Sequence, residues 1–249
     1  MKTTVQKNGE SYQTDLSQPL DISIPLRSGA DNVSAWYVDP VKIEPVRTDQ
    51  FIGAVVEGGS VNFNNIAFNP HGNGTHTECV GHITKNISSI NSCLKQFFYL
   101  TELITIQPEE KANGDQVITK ELVHAQRKFF DAEALIIRTL PNSDAKKTKQ
   151  YSNTNPPFIT AEAMEEIIES GIKHFLIDLP SVDKEVDGGE LAAHHAFWEY
   201  PKNTNFERTI TELVYIPNSI PDGFYLLNLQ IASFENDASP SKPVLYAIS

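Results

Sequence analysis

The chain has 249 residues, 40% of them hydrophobic and 21% charged, with a formal net charge of −12. That is the composition of a globular protein of one large domain with a substantial core. The acidic balance and the lack of any Lys/Arg run exclude a nucleic-acid binder, whose phosphates need neutralising, and argue equally against docking on an anionic membrane. No apolar run approaches the roughly 18 residues of a spanning helix. The first residues hold no apolar segment of the signal-peptide kind. Two cysteines, Cys79 and Cys93, build no disulfide framework, so a cytoplasmic protein is expected.

Residues 1–18 are polar and read as a flexible arm, leaving 19–249 as the folded domain. Leu20 to Leu26 alternates apolar and polar residues as a half-buried strand does. Arg27 to Pro40, with Trp36, Tyr37 and Asp39, reads as an irregular loop able to lie over a pocket. Val41 to Val56 suggests one or two strands. Ser60 to Asn69 alternates again through Val61, Phe63, Ile66 and Phe68. Further strands are expected at Phe97–Ile106, Ala134–Arg138, Ile172–Asp178, Thr209–Ile216 and Gly223–Ile231. Helices are expected at Thr119–Lys128 and Leu191–Trp198, and most clearly after Thr160. There Thr160 is the N-cap, Ala163, Ile167 and Ile168 form the apolar face, and Gly171 is the stop. Pro141 to Pro157 reads as an exposed loop. Strands outnumber helices, and the strand–helix–strand order ending at Asp178 is a βαβ-like unit, so one α/β domain with a mixed sheet is expected.

The densest chemistry lies between His71 and His82, where three of the seven histidines fall within twelve residues beside Glu78 and Cys79. Neutral imidazole and carboxylate suit Zn, Mn or Fe. In an extended segment His76 and Glu78, two apart, face the same side. Pro70, Gly72 and Gly74 break regular structure, which puts the cluster at a strand end or turn. Gly72, Gly74 and Gly81 are expected to let backbone approach a metal or substrate closely. A lone loop histidine is more often surface than ligand, but three with a glutamate mark a site. His124 and His174 stand apart from it. The thiol of Cys79 near His82 raises a Cys–His nucleophile.

From Gly74 to His82 the sequence, Gly-Thr-His-Thr-Glu-Cys-Val-Gly-His, resembles the signature His-x-Gly-Thr-His-x-Asp-x-Pro-x-His of the cyclase family of metal-dependent hydrolases, which includes bacterial kynurenine formamidase and isatin hydrolase. Glu78 stands in the aspartate position and Val80 in the proline position. His71 is five residues before His76, where the family has four. The likeness continues in order through Asp21-Ile-Ser23, Trp36–Pro40, Ile177–Asp183, Ala193-His194-His195, Thr211-Glu212-Leu213 and the closing segment from Gly223 to Pro240. A longer gap between His194 and Glu212 suggests an insertion around Pro201 to Glu207.

This resemblance implies an α/β domain of the swivelling β/β/α type. It implies one or two divalent ions, Zn or Mn, held by His71, His76, Glu78, His194 and Glu212, with His82 moving the proton and Trp36 near the substrate. Two adjacent histidines cannot readily point the same way, and His194, which follows the alanine, is the expected ligand over His195. Glu212 is flanked by Ile210, Leu213, Val214 and Ile216, and a carboxylate buried there needs a partner. Cys79 aligns with a small residue and is expected to fill space; Asp178 and Asp183 are expected to be structural or to orient ligands. The implied reaction is hydrolysis of a small amide, lactam or ester by a metal-activated water, in a homodimer or larger homo-oligomer. Two rival classes are a degenerate protein that binds a metal or ligand without turnover, and a lyase or cyclase acting through a metal enolate.

Overall fold

A computed structural model describes all 249 residues. At its centre is Ala134–Thr139, in which every residue is buried. Alternate side chains of this strand feed two cores. Leu135 and Ile137 enter one hydrophobic cluster, and Ala134 and Ile136 enter the other. A strand covered on both faces needs this near-continuous apolar run.

The main sheet has nine strands. In chain order they are β1 (Leu20–Asp21), β2 (His76–Glu78), β3 (Phe98–Ile106), β4 (Ala134–Thr139), β5 (His174–Ile177), β6 (Thr209–Glu212), β7 (Gly223–Asn228), β8 (Ala238–Pro240) and β9 (Val244–Ala247). Across the sheet the order is β8-β2-β6-β5-β4-β3-β7-β9-β1. The four central strands, β6, β5, β4 and β3, are mutually parallel. Both flanks are antiparallel. The single-domain α/β fold with a mixed sheet is therefore as expected.

Helices α1 (Pro70–Asn73), α2 (Lys120–Gln126), α3 (Ala161–Glu169) and α4 (Ala192–Trp198) complete the framework. Between parallel neighbours β4 and β5 lies α3, which makes the βαβ unit. The Thr160 hydroxyl caps α3 by accepting from the Ala163 N–H at 3.2 Å, and Gly171 follows its end with φ 89°, as helix-end chemistry requires. The buried face is Ala163, Met164 and Ile167. Ile168, expected there, sits at its margin, because Met164, three residues before Ile167, takes the central place. No helix is long and apolar enough to cross a membrane.

Three expectations need correction. Residues 1–18 are not a loose arm: Lys2–Lys7 and Glu10–Asp15 form an antiparallel hairpin. Asn8 and Gly9 supply the two positive φ values of its turn, the strongest short hairpin signal. The Thr14 hydroxyl donates to the Ala247 carbonyl at 2.9 Å, which ties the hairpin to β9. Second, only Asn64–Ala67 of the 60–69 segment is a strand. It pairs with Lys42–Pro45 in a ribbon outside the main sheet, leaving Phe63 and Ile66 exposed. Its alternation is real, but no face of this chain covers it. Third, the 141–157 segment turns inward. Tyr151 is buried, and Lys146 Nζ reaches Asp178 at 2.7 Å.

Candidate metal centre

The site begins with the β2–β6 register. His76 lies opposite Glu212, and Glu78 opposite Ile210. Directly opposed residues share a face, and residues two apart on β2 do so too. His76, Glu78 and Glu212 therefore project together, all three buried. His76 Nε2 is 3.4 Å from Glu212 Oε2. Thr75 anchors this strand start: its hydroxyl donates to the Leu213 carbonyl at 2.5 Å and accepts the Ile24 N–H at 2.8 Å.

The remaining groups arrive from both ends of β2. Asn69 caps α1, accepting the N–H groups of His71 and Gly72, and the helical turn carries His71 inward. His71 Nδ1 stands 3.1 Å from Glu78 Oε2, so displacement by one residue does not remove it from the cluster. After β2, a single 3₁₀ turn, Val80–His82, presents His82. The His82 ring lies 4.4 Å from that of His71, with Nδ1 3.9 Å from Glu78 Oε2.

His194 comes from α4 and sets its Nε2 3.2 Å from Glu78 Oε1 and 3.9 Å from Glu212 Oε1. His195 instead turns its Nδ1 to the Tyr200 carbonyl at 3.1 Å. Pro201 to Asn203, the start of the expected insertion, line one cavity with His195 and α3. Trp36 adopts φ 60°. It lies on a segment tied to α1 through the Ala35 N–H and Gly72 carbonyl, 2.9 Å apart, and its indole packs on the small cluster containing Leu213, next to Glu212.

Two carboxylates complete the arrangement. Asp183 accepts the Ala193 N–H at 2.7 Å and the His194 N–H at 3.2 Å, and holds His194 Nδ1 at 2.5 Å. It thus caps α4 and orients its imidazole. Asp237, just before β8, approaches His71 and His82 together. Sequence reasoning assigned Asp183 only a supporting part and gave Asp237 none. The one sequence signal for Asp237 was its place in the Asp-Ala-Ser-Pro run of the closing segment.

The glycines serve other purposes than expected. A Cβ on Gly72 would lie 2.8 Å from the Ala35 carbonyl oxygen and 2.7 Å from Val38. Gly72 thus lets the Trp36 segment close on α1, rather than admitting a metal or substrate. Cys79 is buried in the second core, and neighbouring Cys93 together with burial pushes its thiol up. This is opposite to the thiolate a nucleophile needs.

The electrostatics are those of a cation site. Burial opposes charge on His71 and His194, yet Asp237 and Glu78 for the first, and Asp183 and Glu78 for the second, push both up to about 10. Burial likewise opposes ionisation of Glu78, but His82, His194 and His71 hold it well below the usual carboxylate range. Two buried atoms, His76 Nε2 and Glu78 Oε2, have no hydrogen-bond partner. His76 Nδ1 faces the Gly74 carbonyl at 2.9 Å and must donate to it, which leaves Nε2 as a lone pair aimed at a carboxylate. Buried orphaned acceptors are costly, and a divalent ion satisfies them. Donors on one tetrahedral ion with bonds of about 2.1 Å stand roughly 3.4 Å apart. Three separate pairs of these donors stand 3.1, 3.2 and 3.4 Å apart, each a spacing of that size. Three groups converge closely enough to hold an ion: His71–His76–Glu78, Glu78–His82–His194 and His71–His82–Asp237.

The model of the Cyclase family matches residues 14–184. The chain belongs to the cyclase family. Kynurenine formamidase of Bacillus cytotoxicus is 28% identical over 231 residues, spanning 92% of this chain and 97% of that one. Among solved structures, isatin hydrolase A from Labrenzia aggregata aligns with a TM-score of 0.66 at 16% identity, over 92% of this chain and 93% of that one. A structure described as a potential metal-dependent hydrolase with cyclase activity aligns at 0.64 and 14% identity, over 92% and 97%. At these identities the structural likenesses establish the cyclase-family fold.

Proposed function

We propose that the chain is a divalent-metal-dependent hydrolase of small amides, lactams or esters, similar in activity to an arylformamidase. The observation that carries this is the convergence of His71, His76, Glu78 and His194, with Glu212 beside His76 and His194, around two buried donor atoms left unpaired. Zn or Mn, as one or two ions, suits imidazole and carboxylate donors. When bound, such an ion acidifies a water and polarises a substrate carbonyl.

The chain's own residues supply the rest. Glu78 presents its two oxygens to different histidines, Oε2 toward His71 and Oε1 toward His194. Asp183 holds His194 Nδ1, which turns Nε2 toward Glu78 and the site. His82 is about one-third exposed, whereas His76 and Glu78 are fully buried. It alone among the clustered imidazoles after β2 meets solvent from a short turn, which suits a group that passes a proton between substrate and water. Trp36 provides an aromatic flank on the segment closing over α1.

The names of the relatives, kynurenine formamidase and isatin hydrolase, support C–N hydrolysis as the reaction class. His71 and Glu78, the ligand positions that depart from the family signature, both reach the cluster, which supports turnover over the degenerate rival. The test is a screen of aryl formamides, isatin-like lactams and aryl esters with zinc or manganese, run in heavy-oxygen water. Hydrolysis puts the label in the acid product. Turnover without label would point to the lyase, and a metal-loaded protein inert on all three classes would contradict the proposal.

A further inference from the structure

We infer that Asp237 is a positioning residue of this centre: one carboxylate selects the nitrogen that His71 turns to the cation site and steadies the ring of His82. The inference rests on the hydrolase reading for the roles of the cation and of His82.

The backbone fixes where Asp237 stands. β8 pairs antiparallel with β2, with Ala238 opposite Glu78, and the Cys79 N–H donates to the Asp237 carbonyl at 3.0 Å. The side chain is thereby placed over the two histidines that flank β2. A single oxygen, Oδ2, lies 2.9 Å from His71 Nε2 and 3.3 Å from His82 Nδ1.

An ionised carboxylate only accepts, so both of those ring nitrogens carry a proton. When a cation displaces the other ring proton, Nδ1 is the one lone pair His71 can offer, and Nδ1 is the atom 3.1 Å from Glu78 Oε2, within the His71–His76–Glu78 group. His82 keeps Nε2 free. A carboxylate behind a ligand imidazole fixes its tautomer and orientation and strengthens its other nitrogen as a donor.

This also accounts for the shifted spacing of His71. From the α1 turn, one residue further from His76, the ring reaches inward by its near nitrogen, with its plane steeply inclined to that of His76 at 5.2 Å. Its far nitrogen points away from the donors and needs an acceptor. Asp237 is that acceptor.

The experiment compares wild type, Asp237→Ala and Asp237→Glu. Zinc affinity is measured by competition with a chromophoric chelator, and ring N–H protons are followed by NMR on zinc-loaded protein labelled with nitrogen-15 histidine. Asp237→Ala is expected to lower zinc affinity about 10–100-fold. It should also abolish the slowly exchanging His71 Nε2–H signal while leaving the His76 Nδ1–H, bound to Gly74, in place. Asp237→Glu should recover both in part. Unchanged affinity with the His71 proton intact would overturn the inference alone. So would a loss of affinity in which the His76 proton vanishes as well, since that reports general loosening. A wild-type protein that takes up neither zinc nor manganese would overturn the hydrolase reading, and the inference with it.

Discussion

His76 Nε2 faces Glu212 Oε2 across 3.4 Å without forming a hydrogen bond to it. The pair is set by strand register, since the two residues are direct partners on β2 and β6, and the ring's Nδ1 proton goes to the Gly74 carbonyl. Two acceptors held together in a buried place are unfavourable without a cation. Glu212→Gln should therefore act in opposite directions on two measurements. The amide can donate to His76, so the metal-free variant should melt a few degrees higher than metal-free wild type, while zinc affinity falls at least about tenfold. Scanning calorimetry with and without chelator, and a chelator competition, read the two effects.

Asp183 serves α4 and its histidine at once. Asp183→Asn keeps an acceptor for one helix N–H but loses the charge that holds His194 Nδ1. Turnover should drop about 10–100-fold, and the weakened cap should cost about 1 kcal/mol. Steady-state kinetics beside urea unfolding separates these losses.

Away from the site, Arg127 Nε and Glu102 Oε2 form a buried pair at 3.0 Å. Glu102 also accepts the backbone N–H groups of Lys128 and Phe129. Glu102→Ala leaves a buried guanidinium without its counter-charge and two backbone donors unpaired, and such breakage costs about 3–5 kcal/mol. The urea midpoint should fall accordingly with an unchanged slope.

His174 gives the stability a defined acid dependence. Burial, with a smaller contribution from Lys173, lowers it from 6.5 to about 3. Its Nδ1 is 2.8 Å from the Thr209 hydroxyl, and its ring lies 3.9 Å from that of Tyr99. The unfolded chain binds a proton at 6.5 and the folded chain does not until about 3. This contribution is therefore complete above pH 6.5 and is lost as pH falls toward 3, at up to about 1.4 kcal/mol per pH unit within that window. His174→Gln should flatten the slope of stability against pH there, as measured by urea midpoints at stepped pH.

Much of this was legible from residues. The apolar run of β4, the Thr160 cap and the Gly171 stop are local signals, and each marks an element that exists. The spacing of His76 and Glu78 fixes their shared face wherever the segment is extended. What stayed hidden depends on long-range pairing. Asp237 becomes part of the centre only because β8 lies against β2, 155 residues after His82 in the chain. Its own neighbours in sequence say nothing of histidines. Lys146 and Tyr151 sit in a polar, proline-flanked stretch whose composition suggests solvent, yet a buried Asp178 draws the first inward. The hairpin at residues 2–15 carries no apolar alternation, because its strands are polar on both faces, and only Asn8-Gly9 announces its turn.

On the proposed reading, the cluster holds a divalent ion on His76, and His82 moves protons beside it. Elemental analysis of purified wild type, His76→Ala and His82→Ala, each loaded with zinc or manganese and desalted, tests it most directly. The expected result is one or two ions per chain in wild type and in His82→Ala, loss of metal in His76→Ala, and no turnover in either variant. Full metal in His76→Ala, or none in wild type, would contradict the account.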